Sequence, residues 1–365
     1  MAKIGLLGGT FDPIHNGHIR IAREAYQQLQ LDEVWFVPVL NNPFSKNIVA
    51  TNIQRINMIH LATSAYPYMK VCDIELKQSP EKKSYTFNTL KALKEKYDHT
   101  FYFMIGYDQA ELFEKWYKAR EISEMVHLVV FNRLGYLKSE NIERYHMTEL
   151  DLIPSDASST KIKEGDVSQV DDKVLDYMMT HSIYTKSIIR HYMSEKRYRH
   201  SVSVADTARM FARNNHLDEN KAYIAGLLHD IAKEMPEDQM RELMNRYYPE
   251  HLDASMPVWH QWLSSYVCKH VYKINDSEIL QAIENHTTAS INMSLLDMCI
   301  YCADKYEPTR DFDSSKEIEM CNKNILAGFK YALKDFYEFS KRKGRSIDPI
   351  FFEIYKKYVE EDLCE

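Results

Sequence analysis

Eleven residues near the amino terminus, Gly8-Gly9-Thr10-Phe11-Asp12-Pro13-Ile14-His15-Asn16-Gly17-His18, put two glycines, a turn and two imidazoles into one short string. Paired glycines let the backbone come close to a ligand, and a helix that opens directly after them offers unpaired N–H groups and the positive end of its dipole. With His15 and His18 one turn apart as added donors, the chemistry is that of a polyphosphate site. A second set of reactive side chains lies far downstream: His200, the adjacent His229 and Asp230, His260, His286 and Asp304. His229 and Asp230 end the apolar run Ala225-Gly226-Leu227-Leu228, and Asp304 follows Ile300-Tyr301-Cys302-Ala303. Burying an imidazole beside a carboxylate is costly unless something binds both, and a divalent cation does so. Imidazoles and carboxylates without a thiolate fit one or two transition-metal ions, iron or manganese first, with cobalt and zinc the other candidates.

The elements that must position these groups fall into two patterns. In the front half, the apolar run Ile4, Leu6, Leu7 ends at the glycine turn, and Ile19, Ala22, Tyr26 and Leu29 form a helical stripe behind it. Val34–Val39, Val71–Leu76, Thr100–Ile105 and Leu128–Phe131 read as further strands, with helices from Asn52 and over Tyr85–Tyr97 between them. Alternating strands and helices, several strands being uniformly apolar, predict a parallel α/β sheet covered on both faces, with ligands at the carboxyl ends of its strands. Beyond a helix at Lys173–Thr180 the pattern turns all-α: Thr207, Met210 and Phe211, then Ile224, Leu227 and Leu228, then Ile279 and Ile283 recur at helical spacing. The boundary is expected between His181 and Ser187, giving domains of residues 1–185 and 186–365.

Composition narrows the class of function. Of 365 residues, 45% are hydrophobic and 27% charged, and the net charge of −7 argues against a nucleic-acid surface as the main function. A basic run at Lys196, Arg197 and Arg199 could still meet phosphate. There is no apolar run long enough for a bilayer, and the six cysteines show no framework spacing. The chain also enters a core strand where a signal peptide would stand, so a cytoplasmic protein is expected, with no membrane or nucleic-acid partner and an oligomer left open.

The string GGTFDPIHNGH resembles the signature of a nucleotidyltransferase superfamily that passes an adenylyl or cytidylyl group to a phosphate monoester. Within it, Ser84-Tyr85-Thr86, Ile105-Gly106-Tyr107-Asp108, Trp116, Arg133 and Ser158-Ser159-Thr160-Lys161-Ile162-Lys163 resemble elements of the bacterial nicotinate-nucleotide adenylyltransferases, which have a Rossmann-like fold. The resemblance covers about Lys3 to Tyr184. It implies that His15, His18, Lys46 and Lys163 stabilise charge on the phosphoryl oxygens. Gly8, Gly9, Thr10, Phe11, Gly106, Asp108, Ser158, Ser159 and Thr160 would bind ATP, which carries Mg2+. Ser84, Tyr85, Thr86, Trp116 and Arg133 would hold nicotinate mononucleotide. Three positions depart from the pattern: Pro43-Phe44-Ser45-Lys46 where PPHK is usual, Lys163 for arginine and Asn88 for aspartate. Altered affinity is expected from these, since lysine keeps the charge of arginine and loses its bidentate fork.

The downstream set is similar to the HD-domain phosphohydrolases, named for the pair His229-Asp230. The resemblance implies a metal held by His200, His229, Asp230 and Asp304, and a two-metal version when His260 and His286 join, although Gln261 stands where glycine is usual after that histidine. The segments GLLHDIAK, ENHTT and ADKYEPTR point to the branch that hydrolyses diadenosine tetraphosphate to two ADP, with Asp230 in the catalytic centre and Lys233 and Arg310 for the phosphates. The expectation is thus a bifunctional enzyme. One alternative makes the helical half a nucleotide-sensing module, and another gives the first half nicotinamide mononucleotide as acceptor.

Overall fold

A computed structural model describes residues 1–40, 48–77, 85–132, 135–153 and 155–361. The chain forms two compact units, Met1–Val174 and Leu175–Glu365. The division falls earlier than the expected boundary after residue 185, inside the helix α8 at Asp172–Thr180. The reason is local: the second half of α8 is tied into the helical unit. Asp176 accepts the Asn275 N–H at 3.0 Å and the Thr180 carbonyl accepts from Asn220 at 2.7 Å.

Unit 1 is a six-stranded sheet built from β1 (Lys3–Gly9), β2 (Glu33–Pro38), β3 (Met69–Val71), β4 (Thr100–Gly106), β5 (His127–Phe131) and β6 (Thr148–Leu150). The order is β3-β2-β1-β4-β5-β6, and every neighbouring pair is parallel. Helices α1 (Asn16–Gln28), α2 (Asn52–Thr63), α3 (Thr86–Lys96), α4 (Tyr107–Leu112), α5 (Ala119–Met125), α6 (Asn141–Arg144) and α7 (Ser159–Lys163) connect and follow the strands. The strand order reverses at β1 and β4, so Gly9 and Gly106 end the two strands that flank the switch point, where such sheets bind ligands. Ile4, Leu6, Trp35, Phe101, Phe103, Leu128 and Val130 form much of one core face. The strand expected over Val71–Leu76 is corrected to Met69–Val71. After Cys72 donates to the Phe36 carbonyl at 2.8 Å the chain turns, Lys77 N–H reaching back to the Asp73 carbonyl. Glu75 is thereby buried, accepting the Thr89 hydroxyl at 2.7 Å.

Among the described residues of unit 2 every regular element is helical, including α9 (Thr185–Arg190) and α18 (Pro349–Tyr355). The helices that carry the downstream set are α10 (Glu195–Asn214), α11 (Glu219–Leu228), α13 (His260–His270), α14 (Ser277–Glu284) and α15 (Leu295–Tyr306); α12 (Glu237–Tyr247), α16 (Ser315–Lys323) and α17 (Ile325–Lys343) complete it. Each of the first turns is capped by a side-chain oxygen where the sequence supplies one: Ser194 for α10, Asp218 for α11, Asp276 for α14 and Ser294 for α15. From Ala222 to Leu228 every residue of α11 is buried, the mark of a central helix. Gly226 lets it press against α10 at Ala205. No helix among the described residues is long and apolar enough to cross a membrane.

Candidate functional site

In unit 1 the glycine turn and the start of α1 form one locked structure. His15 is the residue before the first turn of α1, and its N–H donates to His18 Nδ1 at 3.3 Å. The two rings lie 3.8 Å apart between centroids at 31°, and the edge of Phe11 meets His18 at 5.0 Å. Gly8 is exposed at the sheet end, and Gly9 could not be larger without crowding the Phe11 ring, which a Cβ would meet at 3.1 Å. The Thr10 carbonyl accepts from the fully buried Arg55 at 2.8 Å. Asp12, also buried, accepts the N–H groups of Val49 and Ala50 at 3.1 and 2.9 Å. Its carboxylate also meets Lys163 Nζ at 2.6 Å. Lys163, expected to stabilise charge on the phosphoryl oxygens, is seated on the turn itself.

The SSTKIK segment joins the same turn. Ser158 caps α7 by accepting the Thr160 N–H at 3.2 Å, Ser159 donates to the Pro13 carbonyl at 2.9 Å, and Thr160 is exposed. At the end of β4, a Cβ on Gly106 would stand 2.5 Å from Asp108 Oδ1, so glycine is what allows that carboxylate to fold back. Tyr85 precedes α3 and packs on Tyr117 at 4.9 Å. Thr86 lines a cavity with Gly8, Val39, Glu75, Thr89 and Phe103. Trp116 is half-buried against Phe113 and Phe103, at 5.4 and 6.3 Å between centroids. Asn88 is exposed on α3. Lys46, Ser84 and Arg133 lie outside the described residues, as does Ser45.

In unit 2 all six residues of the downstream set converge. Asp230 stands at the middle. Its Oδ2 lies 3.8 Å from His200 Nε2 and 3.5 Å from His229 Nε2, while its Oδ1 lies 3.1 Å from His260 Nε2 and 3.7 Å from His286 Nε2. Asp304 Oδ1 completes the first group, 3.0 Å from His200 and 3.6 Å from His229. Two overlapping triads are compact enough to share an ion, His200-His229-Asp304 and His229-Asp230-His286. His260 joins the second through a 3.1 Å approach of its Nε2 to that of His286.

The imidazoles are aimed by their other nitrogens. Nδ1 of His229, His260 and His286 each bonds the carbonyl three residues back, Gly226 at 2.7 Å, Pro257 at 2.9 Å and Ile283 at 2.6 Å. His200 Nδ1 instead meets Glu307 Oε1 at 3.0 Å. Every Nε2 is thus left to the centre, the tautomer that metal ligation needs. Nε2 of His200 and His229 is buried without a hydrogen-bond partner, despite the nearby carboxylates, so the donor set fits a cation.

The carboxylates and burial set the charge on the imidazoles. Burial alone would lower the His229 pKa, but Asp230 and Asp304 outweigh it and raise it to about 10. Burial pushes His260 down to about 4 against the pull of Asp230. Asp230 and Asp304 are held well below the usual carboxylate range, their histidine partners outweighing burial. Arg310 bonds the carbonyl of Asp304 and its carboxylate, the latter at 2.7 Å, and Lys233 Nζ lies 3.1 Å from the His260 ring nitrogens.

Sequence reasoning left three groups without a role. Glu307 is buried and itself held by Thr309, through its N–H at 2.6 Å and its hydroxyl at 2.7 Å. Thr287 Oγ1 sits 3.1 Å from His260 Nε2 and 2.9 Å from His286 Nε2. Asp12 is the third. Glu307 and Thr287 fall inside the quoted segments ADKYEPTR and ENHTT, and Asp12 inside GGTFDPIHNGH, so position within a motif was the available signal.

Comparison with known proteins follows the same division. Residues 6–165 match the cytidylyltransferase-like family model and residues 197–309 the HD-domain model. A Mycoplasma pneumoniae protein named a probable nicotinate-nucleotide adenylyltransferase/Ap4A hydrolase is 32% identical over 343 residues, 90% of this chain and 97% of its own. The chain belongs to that two-part family. A Mycoplasma genitalium member with the same printed name is 32% identical over 314 residues, covering 84% of this chain and 88% of its own. A Bacillus subtilis nicotinate-nucleotide adenylyltransferase is 35% identical over 193 residues, 50% of this chain and 99% of its own. The family thus joins a nucleotidyltransferase-like sheet to an HD-type helical unit in one chain.

Proposed function

We propose that this chain is a bifunctional enzyme. Unit 1 transfers the adenylyl group of ATP to nicotinate mononucleotide, releasing pyrophosphate and nicotinate adenine dinucleotide. Unit 2 hydrolyses diadenosine tetraphosphate to two ADP. The relatives named above support both halves.

For unit 1, phosphoryl-type transfer asks for positioning and charge stabilisation, with no covalent enzyme intermediate. The N–H groups at the start of α1 and the imidazoles of His15 and His18 face the triphosphate. Ser158, Ser159 and Thr160 add hydroxyl and backbone donors for its outer phosphates. Asp108 accepts from ribose hydroxyls, and Thr86 and Trp116 border the nicotinate moiety. The phosphate of nicotinate mononucleotide then attacks the α-phosphorus in line as pyrophosphate departs.

For unit 2, the observation that carries the reading is the convergence of four histidines on Asp230, with Asp304 against two of them. His200, His229, Asp230 and Asp304 would hold one ion and His260 and His286, sharing Asp230, a second. Bound ions of this kind lower the pKa of water and polarise phosphate oxygens. Lys233 and Arg310 add fixed positive charge for the polyphosphate, and the buried walls exclude bulk water.

The test is product analysis of the purified full chain: ATP with nicotinate mononucleotide or nicotinamide mononucleotide, and separately diadenosine tetraphosphate with manganese or iron. Nicotinate adenine dinucleotide and ADP as main products would sustain the reading. Metal binding with no ADP formed would leave unit 2 a nucleotide-sensing module instead.

A further inference from the structure

The basic run of Lys196, Arg197 and Arg199 in the sequence is not one feature in the structure, because its three cations point to different places. Lys196 is exposed, and exposed Arg199 pairs with Glu195 at 3.0 Å on the same helix. Arg197, one turn before His200 on α10, turns inward and its Nη1 meets Asp230 Oδ2. Its Nε is buried without a hydrogen-bond partner. Arg310 makes the matching contact on the other acid, Asp304 Oδ1, at 2.7 Å. Each of the two carboxylates in the centre therefore has its own guanidinium.

A guanidinium and a divalent cation compete for the same carboxylate charge. When a cation draws the charge of Asp230, the hold on Arg197 weakens and its planar fork becomes available to an anion, for which two parallel N–H donors match phosphate oxygens. We infer that Arg197 is a phosphate-binding residue coupled to the metal centre through Asp230, so that cation and phosphate bind cooperatively. This rests on the reading of the six-residue cluster as a metal centre. The coupling is reciprocal: whatever factor the phosphate adds to metal affinity, the metal adds to phosphate affinity.

The experiment is calorimetric titration of manganese into the chelator-treated full chain, wild type and Arg197→Gln, with and without inorganic phosphate. Without phosphate, Arg197→Gln should bind manganese at least threefold more tightly than wild type, its competitor gone. With phosphate, wild type should gain manganese affinity at least tenfold while Arg197→Gln gains little, and Arg197→Lys should fall between them. A purely structural arginine would weaken metal binding when removed and leave the phosphate effect in place, which overturns the inference. Manganese that binds equally to wild type and Arg197→Gln in both conditions overturns it too, while leaving the metal centre standing. Wild type that binds no manganese or iron overturns the metal reading and this inference together.

Discussion

Gly226 lies so close to Ala205 that a Cβ on the glycine would stand 2.8 Å from the Ala205 Cα and 3.1 Å from its nitrogen. Backbone cannot step aside as a flexible side chain can. The contact sets the spacing of α10 and α11, and with it the distance from His200 to the His229-Asp230 pair. Gly226→Ala should cost about 1–3 kcal/mol of stability, the range for overpacking. It should also weaken manganese binding, since His229 bonds the Gly226 carbonyl. Thermal unfolding and a metal titration check both, and unchanged metal affinity would detach the helix contact from the site.

The two chemistries should separate by mutation. Asp230→Ala is expected to abolish metal-dependent hydrolysis of diadenosine tetraphosphate and to leave adenylyl transfer intact. His18→Ala should do the reverse, lowering adenylyl-transfer turnover by roughly a hundredfold or more. Paired assays on each purified variant decide it. Loss of both activities from either change would mean the units do not work separately.

Glu307 positions His200. Replacing it with glutamine keeps an acceptor at 3.0 Å and removes the charge that makes the imidazole a stronger ligand. Glu307→Gln should reduce metal affinity by roughly 10-fold and Glu307→Ala by nearer 100-fold, the range for removing such partners. The graded pair is informative, because a residue needed only for folding would be rescued fully by glutamine.

The histidines predict how stability follows pH in chelator-treated protein. An unfolded histidine titrates near about 6.5. His229, raised to about 10 in the fold, contributes stability that is complete below about 6.5 and is lost as pH climbs to 10. His260, lowered to about 4, contributes stability present above 6.5 and lost as pH falls towards 4. Melting temperature should therefore peak near neutrality. His229→Gln should flatten the alkaline limb, and an unaltered limb would contradict the assignment.

Asp12 fastens three segments: its own turn, the stretch at Val49 and Ala50, and Lys163 on α7. Asp12→Asn retains an oxygen for one of the two N–H groups, which donate to different carboxylate oxygens, and loses the ion pair. Leaving the Lys163 charge without its buried partner should destabilise unit 1 by about 1–3 kcal/mol and raise the KM for ATP. Chemical unfolding and initial rates measure these. A variant with wild-type stability and KM would show the pair to be incidental.

Much of this was legible in the sequence, and the reasons differ by residue. Uniformly apolar strands and the GGTFDPIHNGH turn carry a local signal, so the parallel sheet and the placing of His15 and His18 at a helix start could be read directly. His229, Asp230 and Asp304 stood out because they end apolar runs, and the resemblance to the HD-domain pattern grouped His200, His260 and His286 with them. Hidden were the pairings made across long stretches of chain: Lys163 with Asp12, Glu307 with His200, Arg197 with Asp230. A charged residue looks the same in sequence whether it faces water or a buried partner. Glu75 was misread for a related reason, since alternation suggested a strand where a turn instead delivers the acid to Thr89. The domain boundary moved because α8 is continuous, and continuity conceals which half of a helix belongs to which core.

Three of the four imidazoles take their bearing from a carbonyl three residues earlier, and only His200 depends on another side chain. A backbone acceptor does not depend on the side chain that carries it, so Pro257 and Ile283 can change identity as long as the chain still bends where each one sits. Drift in the lining would alter which molecule is admitted without disturbing the rings, whereas a shift of even one residue at those bends would swing a ring out of line.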